Sequence, residues 1–391
     1  EVAKKEIHDK NRLNKRGVSF TAVQKKYANE IGIATKELFA QFLIRIKHEI
    51  GSCVLAQFST LKIVQGPNFS QFRNSFRADF LEGFVVPAAT FDNVKGSFPI
   101  GFMVWNLDSN NSIDKIQCKV YDKQGNKLGI KDFVAYNDNV FITDWFRYYH
   151  ERKESKENIG AIGLYGSDFQ HNNFIYITSA EEHTNRWTYI TKDNIIPTSI
   201  YYSVRHVIPA TWLNDRDQFL YPNDGWKTDY AFQADCLVYT LFHGQNRISI
   251  GTQSSSPISE DNMRTGTSAL QVNHWIPFTE KEVGAQSLFA SHFMSDYLAG
   301  KIKGTHSSPS AAQPDLFAVD KDIADEPSAS QVAPLAVMSP EAQAVMDAGR
   351  ELWRYYHKQP DANADASYYD IRRYFQGTDA KGRMNPDSED A

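Results

Sequence analysis

The chain has 391 residues, 41% hydrophobic and 13% aromatic, enough for a real core and for one large domain or two to three ordinary ones. Its formal net charge of -5 hides an asymmetry: Ser307 to the end carries 15 acidic and 8 basic residues, leaving +2 for the rest. An acidic total therefore does not exclude a polyanionic partner; it confines where one can bind. No apolar run approaches a membrane span, no hydrophobic signal-peptide core opens the sequence, and no membrane partner is expected. Cys53, Cys118 and Cys236 are far apart and flanked by apolar residues. They read as buried reduced thiols of a cytoplasmic protein, without metal-ligand spacing.

Residues 1–29 hold eight Lys/Arg against three Asp/Glu, and residues 1–34 read as a basic loop or arm. "TKELFAQFLIRIKHEI" (35–50) predicts the clearest helix, with Thr35 as N-cap and Phe39, Phe42, Leu43, Ile46 and Ile50 on one face. "CVLAQFS" follows as a short buried strand. A loop through Gly66-Pro67 leads to the helical pattern "FSQFRNSFRADF", then to the buried strands "GFVVPA" and "IGFMVWNL". "IDKIQCKVYDKQGNKLGIKDF" alternates around Gln124-Gly125-Asn126, a hairpin signature. Strand, helix, strand, turn, strand over 35–140 describes one half of a twisted α/β sheet with an antiparallel pair near its edge.

Residues 141–302 are rich in Trp, Tyr and Phe and read as an α/β accessory or continuation region, with a helical stretch over 280–300 that ends in glycine. Residues 303–337 form a Ser/Ala/Pro/Asp linker of disordered composition. The last unit, 338–391, is helical: Ser339 caps, Pro340 takes the first helical position, and "ASYYDIRRYF" gives a second short helix. The sequence has no initiator methionine and stops in the acidic "NPDSEDA", so it is expected to be part of a longer protein.

Common chemical constellations are absent from the sequence. It has no GxxxxGK[ST], HExxH, paired CxxC or GxSxG. "GAIGLYG" (160–166) has glycines at the wrong spacing for a dinucleotide loop, and "QPDLFAVDKD" lacks the acid-x-lysine of a nuclease.

What remains is an ordered set of segments. "ELFAQFLIRI", "VLAQFSTLKIVQGPNFSQFR", "GFVVPAATFD" and "GSFPIGFMVW" resemble the back half of the N6-adenine DNA methyltransferases of bacterial restriction-modification systems. The resemblance covers residues 30–107; "RHVIPATWLNDRDQFLYPNDGWKTDYAF" and "SPEAQAVMDAGRELWRYYHKQP" are similar to large methylases of this group. It implies the second half of a Rossmann-like, S-adenosylmethionine-dependent domain with an antiparallel edge hairpin, then an α+β region and a helical tail. The implied partners are double-stranded DNA and a cognate restriction nuclease or specificity subunit. The sequence departs from the family in having no [NDS]-Pro-Pro-[YFW], no Pro-Pro pair at all and no glycine-rich cofactor loop. Those elements are expected upstream of Glu1, so this chain by itself is expected to be inactive and carries no catalytic residue of its own.

The resemblance also assigns site residues. Phe98, followed by Pro99, matches the hairpin aromatic that stacks on the flipped adenine, with Phe91 as the alternative; the bland reading is a plug at the end of the sheet. Stacking on an aromatic contributes about 1–3 kcal/mol per base. Leu38 and Phe42 match positions that wall the cofactor pocket, although apolar residues at i and i+4 on a helix are more often core. Lys62, Arg73, Arg77 and Lys95 are candidates for phosphate contacts, and Lys10, Arg12, Lys15 and Arg16 for an arm that closes over DNA. Two other classes stay open: a non-catalytic DNA-recognition or assembly module, and an RNA methylase of similar fold.

Overall fold

The computed structural model describes residues 21–137, 139–152, 155–179, 186–250, 272–302 and 338–386. The chain divides into two compact units. Unit 1 is Glu1–Val140 with Asp168–Gln170 and Pro209–Leu220; unit 2 is Phe141–Ser167, His171–Ile208 and Tyr221–Ala391. Arm residues 1–20 and the linker 303–337 lie outside the described residues.

Unit 1 runs α1 (Ala22–Ile31), α2 (Leu38–Glu49), β1 (Val54–Thr60), α3 (Lys62–Gln65), α4 (Ser70–Phe76), β2 (Asp79–Pro87), β3 (Pro99–Asn106), β4 (Lys115–Tyr121) and β5 (Lys127–Val134). The five strands form one mixed sheet in the order β1-β3-β2-β4-β5. β3 is antiparallel to both β1 and β2, β2 and β4 are parallel, and β4–β5 is an antiparallel hairpin at the edge. The hairpin turn is held by Asp122, whose carboxylate accepts from the Gln124 and Asn126 amides at 2.9 and 2.8 Å.

Alternation puts successive side chains on opposite faces of a strand. Val85, Met103, Trp105, Cys118 and Phe133 are buried in one cluster with Tyr27, Ile31, Leu43, Ile44, Phe72 and Phe76 from the helices. Trp105 meets Phe76 and Phe80 edge-on at ring distances of 6.0 and 5.3 Å. The opposite face carries Phe58, Phe102 and Phe84, directly paired in register across β1, β3 and β2. β1 is therefore half-exposed rather than a buried strand.

Two expectations for the N-terminal side are corrected. Residues 22–31 are a helix, not an arm: Thr21 caps it by accepting from the Gln24 amide, and Tyr27 and Ile31 enter the core at i and i+4. Lys25 and Lys26, immediately before Tyr27, conceal that spacing. The next helix starts at Leu38, not Thr35, which sits in a 3-10 turn (Gly32–Lys36) and donates to the Gly32 carbonyl at 2.7 Å. On α2 the sheet takes Ala40, Leu43 and Ile44, while Phe42 and Ile50 are each 64% exposed. Apolar residues occupy more than one side of this helix, and only one side can face the sheet.

Unit 1 also recruits Asp168–Gln170 and Pro209–Leu220. Asp217 fastens the second segment, accepting from Lys131 Nζ at 2.6 Å and Gln65 Nε2 at 2.5 Å. Phe169 stacks on Phe219 at 4.2 Å.

Unit 2 holds α5 (Ile142–Phe146), β6 (Gly160–Gly163), β7 (Ile177–Thr178), β8 (Trp187–Ile190), α6 (Ile195–His206), α7 (Tyr230–Phe242), α8 (Glu280–Val283), α9 (Phe293–Leu298), α10 (Pro340–Tyr356) and α11 (Tyr368–Gln376). Its three strands are antiparallel in the order β7-β6-β8, and "GAIG" is the buried central strand. α10 and α11 start where expected: Ser339 accepts from the Ala342 amide, with Pro340 in the first turn, and Ser367 and Asp370 form a capping box. The helical reading of 280–300 is corrected to two short helices. Gly284, at φ +70°, ends the first in the left-handed region that favours glycine. Cys118 and Cys236 are buried, and burial pushes both thiols up to about 12, whereas Cys53 is only half-buried.

Lys47 is the tie that holds the end of the sheet. Its Nζ donates to the carbonyls of Arg77, Leu107 and Ser109 at 2.8, 2.7 and 2.9 Å. Hydrogen bonds from a charged donor contribute about 1.5–3 kcal/mol each before the partners rehydrate. Lys47→Met should lower stability by about 1–3 kcal/mol, read as a lower urea midpoint at unchanged slope. An unchanged midpoint would show that the three carbonyls are as well satisfied by water.

Candidate functional site

The β2–β3 connection is the feature the sequence singled out. Pro87 and Pro99 face each other at its mouth, and the Ala88 amide donates to the Phe98 carbonyl at 2.9 Å. Asn93 (φ +61°) and Gly96 (φ +140°) turn the chain between them. A side chain at 96 would stand 2.7 Å from Phe98 Cε1, so glycine lets the Phe98 ring fold back over its own turn. Pro99 is buried and begins β3, while Phe98 is half-buried. Among the described residues no aromatic ring stacks on Phe98.

Phe91 behaves differently. It meets Phe58 edge-on at 5.4 Å and joins an aromatic row on the open sheet face. Along that row Phe58–Phe102 is 4.9 Å, Phe102–Phe84 is 5.4 Å and Phe84–Tyr121 is 6.0 Å between ring centroids. Phe91 is thus engaged by protein, and Phe98 is the ring of the two without a ring partner. Sequence reading did not find this row, because its members lie on three separated strands and meet only through register.

Leu38 and Phe42 are 51% and 64% exposed, so the core reading of these two residues does not hold. Among the described residues β1 lies at the edge of the sheet and pairs on one side only. An exposed apolar helix flank and an unpaired strand edge are both features that a further layer of structure commonly covers.

The basic residues separate by environment. Arg73 is removed from the phosphate-contacting set because it is an interior residue, 1% exposed. Its Nε donates to Asn137 Oδ1 at 2.8 Å and its Nη1 to the Gly66 carbonyl at 2.9 Å, and burial lowers its pKa to about 10. Lys62 pairs with Glu37 at 2.9 Å. Arg77 closes α4 at φ +24° and donates to the Asn110 carbonyl at 2.6 Å. Lys95 is exposed on the Phe98 turn. Lys10, Arg12, Lys15 and Arg16 lie outside the described residues. Among the described residues no group of three or more His, Cys, Asp or Glu side chains is placed to hold a metal ion.

This arrangement can stack a planar ring and place one cation near it. Comparison with protein-family models, with curated proteins and with solved structures returned no match for this chain.

Two substitutions separate structure from contact. Arg73→Met leaves the Gly66 carbonyl and Asn137 without their buried donor and should cost about 3 kcal/mol. Lys95→Gln should stay within about 0.5 kcal/mol of wild type. Urea unfolding of both variants checks this, and comparable losses would contradict the division.

Proposed function

We propose that unit 1 is the target-base half of an S-adenosylmethionine-dependent DNA adenine-N6 methyltransferase. The observation that carries the reading is the hairpin: a half-exposed phenylalanine, without a ring partner, stands on a turn whose next residue is a buried proline. Such a ring is preorganised for a base, because the turn has little freedom left to lose on binding. Helix, strand, helix, strand, hairpin is also the order in which the family's second half is built. In this reading the sheet is the second half of a Rossmann-like domain, extended beyond β1 by a segment that carries the glycine-rich loop and the Asn/Asp-Pro-Pro-Tyr motif.

The cofactor, when bound, supplies an electrophilic methyl group. The residues present fit the apolar wall of its pocket, Leu38 and Phe42, and no more of it. Phe98 holds the flipped adenine by stacking, so that the N6 nitrogen is presented at one angle and distance. The groups that accept the N6 hydrogens belong to the proline motif, outside this chain. Lys95 places a cation by the same turn, where it positions backbone phosphate without reading sequence.

A second reading is favoured by the open aromatic row of Phe58, Phe102 and Phe84: a recognition or assembly module without catalysis. The discriminating experiment is methyl transfer from labelled S-adenosylmethionine to duplex DNA and to RNA, using the full reading frame that encodes this chain. Transfer to adenine N6 in DNA is expected. Phe98→Ala should lower kcat/KM by about 5- to 150-fold, the equivalent of one lost stacking contact, with circular dichroism unchanged. Transfer to RNA alone would move the assignment to an RNA methylase. No transfer to either would favour the non-catalytic module.

A further inference from the structure

In unit 2 the last turn of α6 and the residue after α7 bring two imidazoles together. His206 and His243 stack at 4.7 Å with 28° between their planes. Hydrogen bonding assigns the ring protons. His206 Nε2 lies 2.7 Å from the Ile175 carbonyl, which can only accept, so this nitrogen is a donor. The Gln245 amide lies 3.3 Å from His243 Nδ1 and can only donate, so that nitrogen carries no proton. The Tyr202 hydroxyl donates to it as well, at 2.9 Å. His243 is therefore held in its neutral form, with its one proton on Nε2.

These contacts tie several stretches of chain together at one end of the α6–α7 pair. His206 joins α6 to Ile175, just before β7, and His243 joins the end of α7 to Tyr202 on α6 and to Gln245. β7 closes the loop: the Ile177 amide donates to the Gln245 carbonyl at 3.0 Å and the Arg247 amide to the Ile177 carbonyl at 2.8 Å. Further along the pair the ties are hydroxyls, which do not titrate in acid. Ser203 Oγ and Thr240 Oγ1 both donate to the Cys236 carbonyl, at 3.0 and 2.7 Å.

Titratable and charged groups face the two rings from each neighbouring element. α6 contributes Tyr202 and Arg205, and α7 contributes Tyr239, which stacks on His243 at 4.9 Å. The segment after α7 contributes Arg247 and α11 contributes Arg372. Asp370 of α11 is taken up by Ser249 and the Ile250 amide. Burial first, and then His243, Arg205 and Arg247, hold His206 down to about 3, against the bond to Ile175. Burial and Arg372 hold His243 down to about 4. A proton added to His243 Nδ1 would meet the Gln245 amide hydrogen, and a charge on each ring would set two like charges one stacking distance apart.

We propose that the His206–His243 stack is an acid-sensitive catch. Neutral, it holds the C-terminal ends of α6 and α7 to the segments 175–177 and 243–247; protonated, it releases them while the rest of the helix pair stays packed. The catch belongs to unit 2 and rests on no part of the methylation reading.

Because both rings are held below the ordinary histidine value, their neutral forms contribute stability that is fully present above the unfolded value near 6.5. That contribution is lost as pH falls toward 4 and 3. The test is amide hydrogen exchange of the full chain between pH 7 and pH 5, corrected for the intrinsic pH dependence of exchange. Protection over residues 239–248 should fall by at least about tenfold relative to α10. His206→Gln keeps a donor near the Nε2 position, His243→Asn keeps an acceptor near the Nδ1 position, and neither replacement titrates. The double variant should lose the pH-dependent fall, and each single variant should keep part of it.

A fall of equal size in wild type and double variant, or no fall in the wild type, overturns the proposal. Proton NMR of the wild type decides independently of any variant. Among the 11 histidines, two ring resonances should titrate with midpoints below about 5. Midpoints all near the ordinary value of about 6.5 would overturn the catch.

Discussion

The sheet of unit 1 has helices over one face, and most of what the unit can do follows from that constraint. Trp105, Met103 and Phe133 go under the helices with Phe72 and Phe76. By alternation their neighbours Phe102, Val104 and Asp132 must point the other way. The open face therefore follows from the buried one, and the Phe58–Phe102–Phe84 row is where register makes those outward residues aromatic. β1 at the sheet's edge, and the exposed Leu38 and Phe42 on α2, belong to the same one-sided arrangement.

Against this frame the Phe98 hairpin is unusual among the aromatics of unit 1. Most of the others have a ring beside them: Phe69 on Phe72, Phe80 on Trp105, Phe91 on Phe58. Phe98 folds over a glycine instead. In unit 2 surface arginines commonly meet a carboxylate, as Arg350 meets Asp347 and Arg354 meets Glu351 at 2.6 Å. A ring without a ring beside it is a place where local stability has been left incomplete, which is where ligands are to be sought.

Local signals in the sequence carried part of this. The β4–β5 hairpin was legible because Gln124-Gly125-Asn126 interrupts a clean alternation, and α10 because Ser339-Pro340 is a strong start signal. α1 was not, since Lys25 and Lys26 dilute the apolar spacing of Tyr27 and Ile31. Arg73 and Lys47 were misread or missed for a common reason. A basic side chain reads as surface, and only the fold shows that backbone carbonyls from distant loops converge on it. The cluster at His206 is assembled from positions 175 to 372, a separation that no local window spans.

The proposal that unit 1 serves adenine methylation in DNA is tested by base-resolution mapping of N6-methyladenine in the genome of a methylation-free bacterial host expressing the full reading frame. Adenine methylation confined to one recurrent sequence motif, absent from the vector control, is expected. Genomic adenine indistinguishable from that control, with the protein expressed and folded, would contradict it.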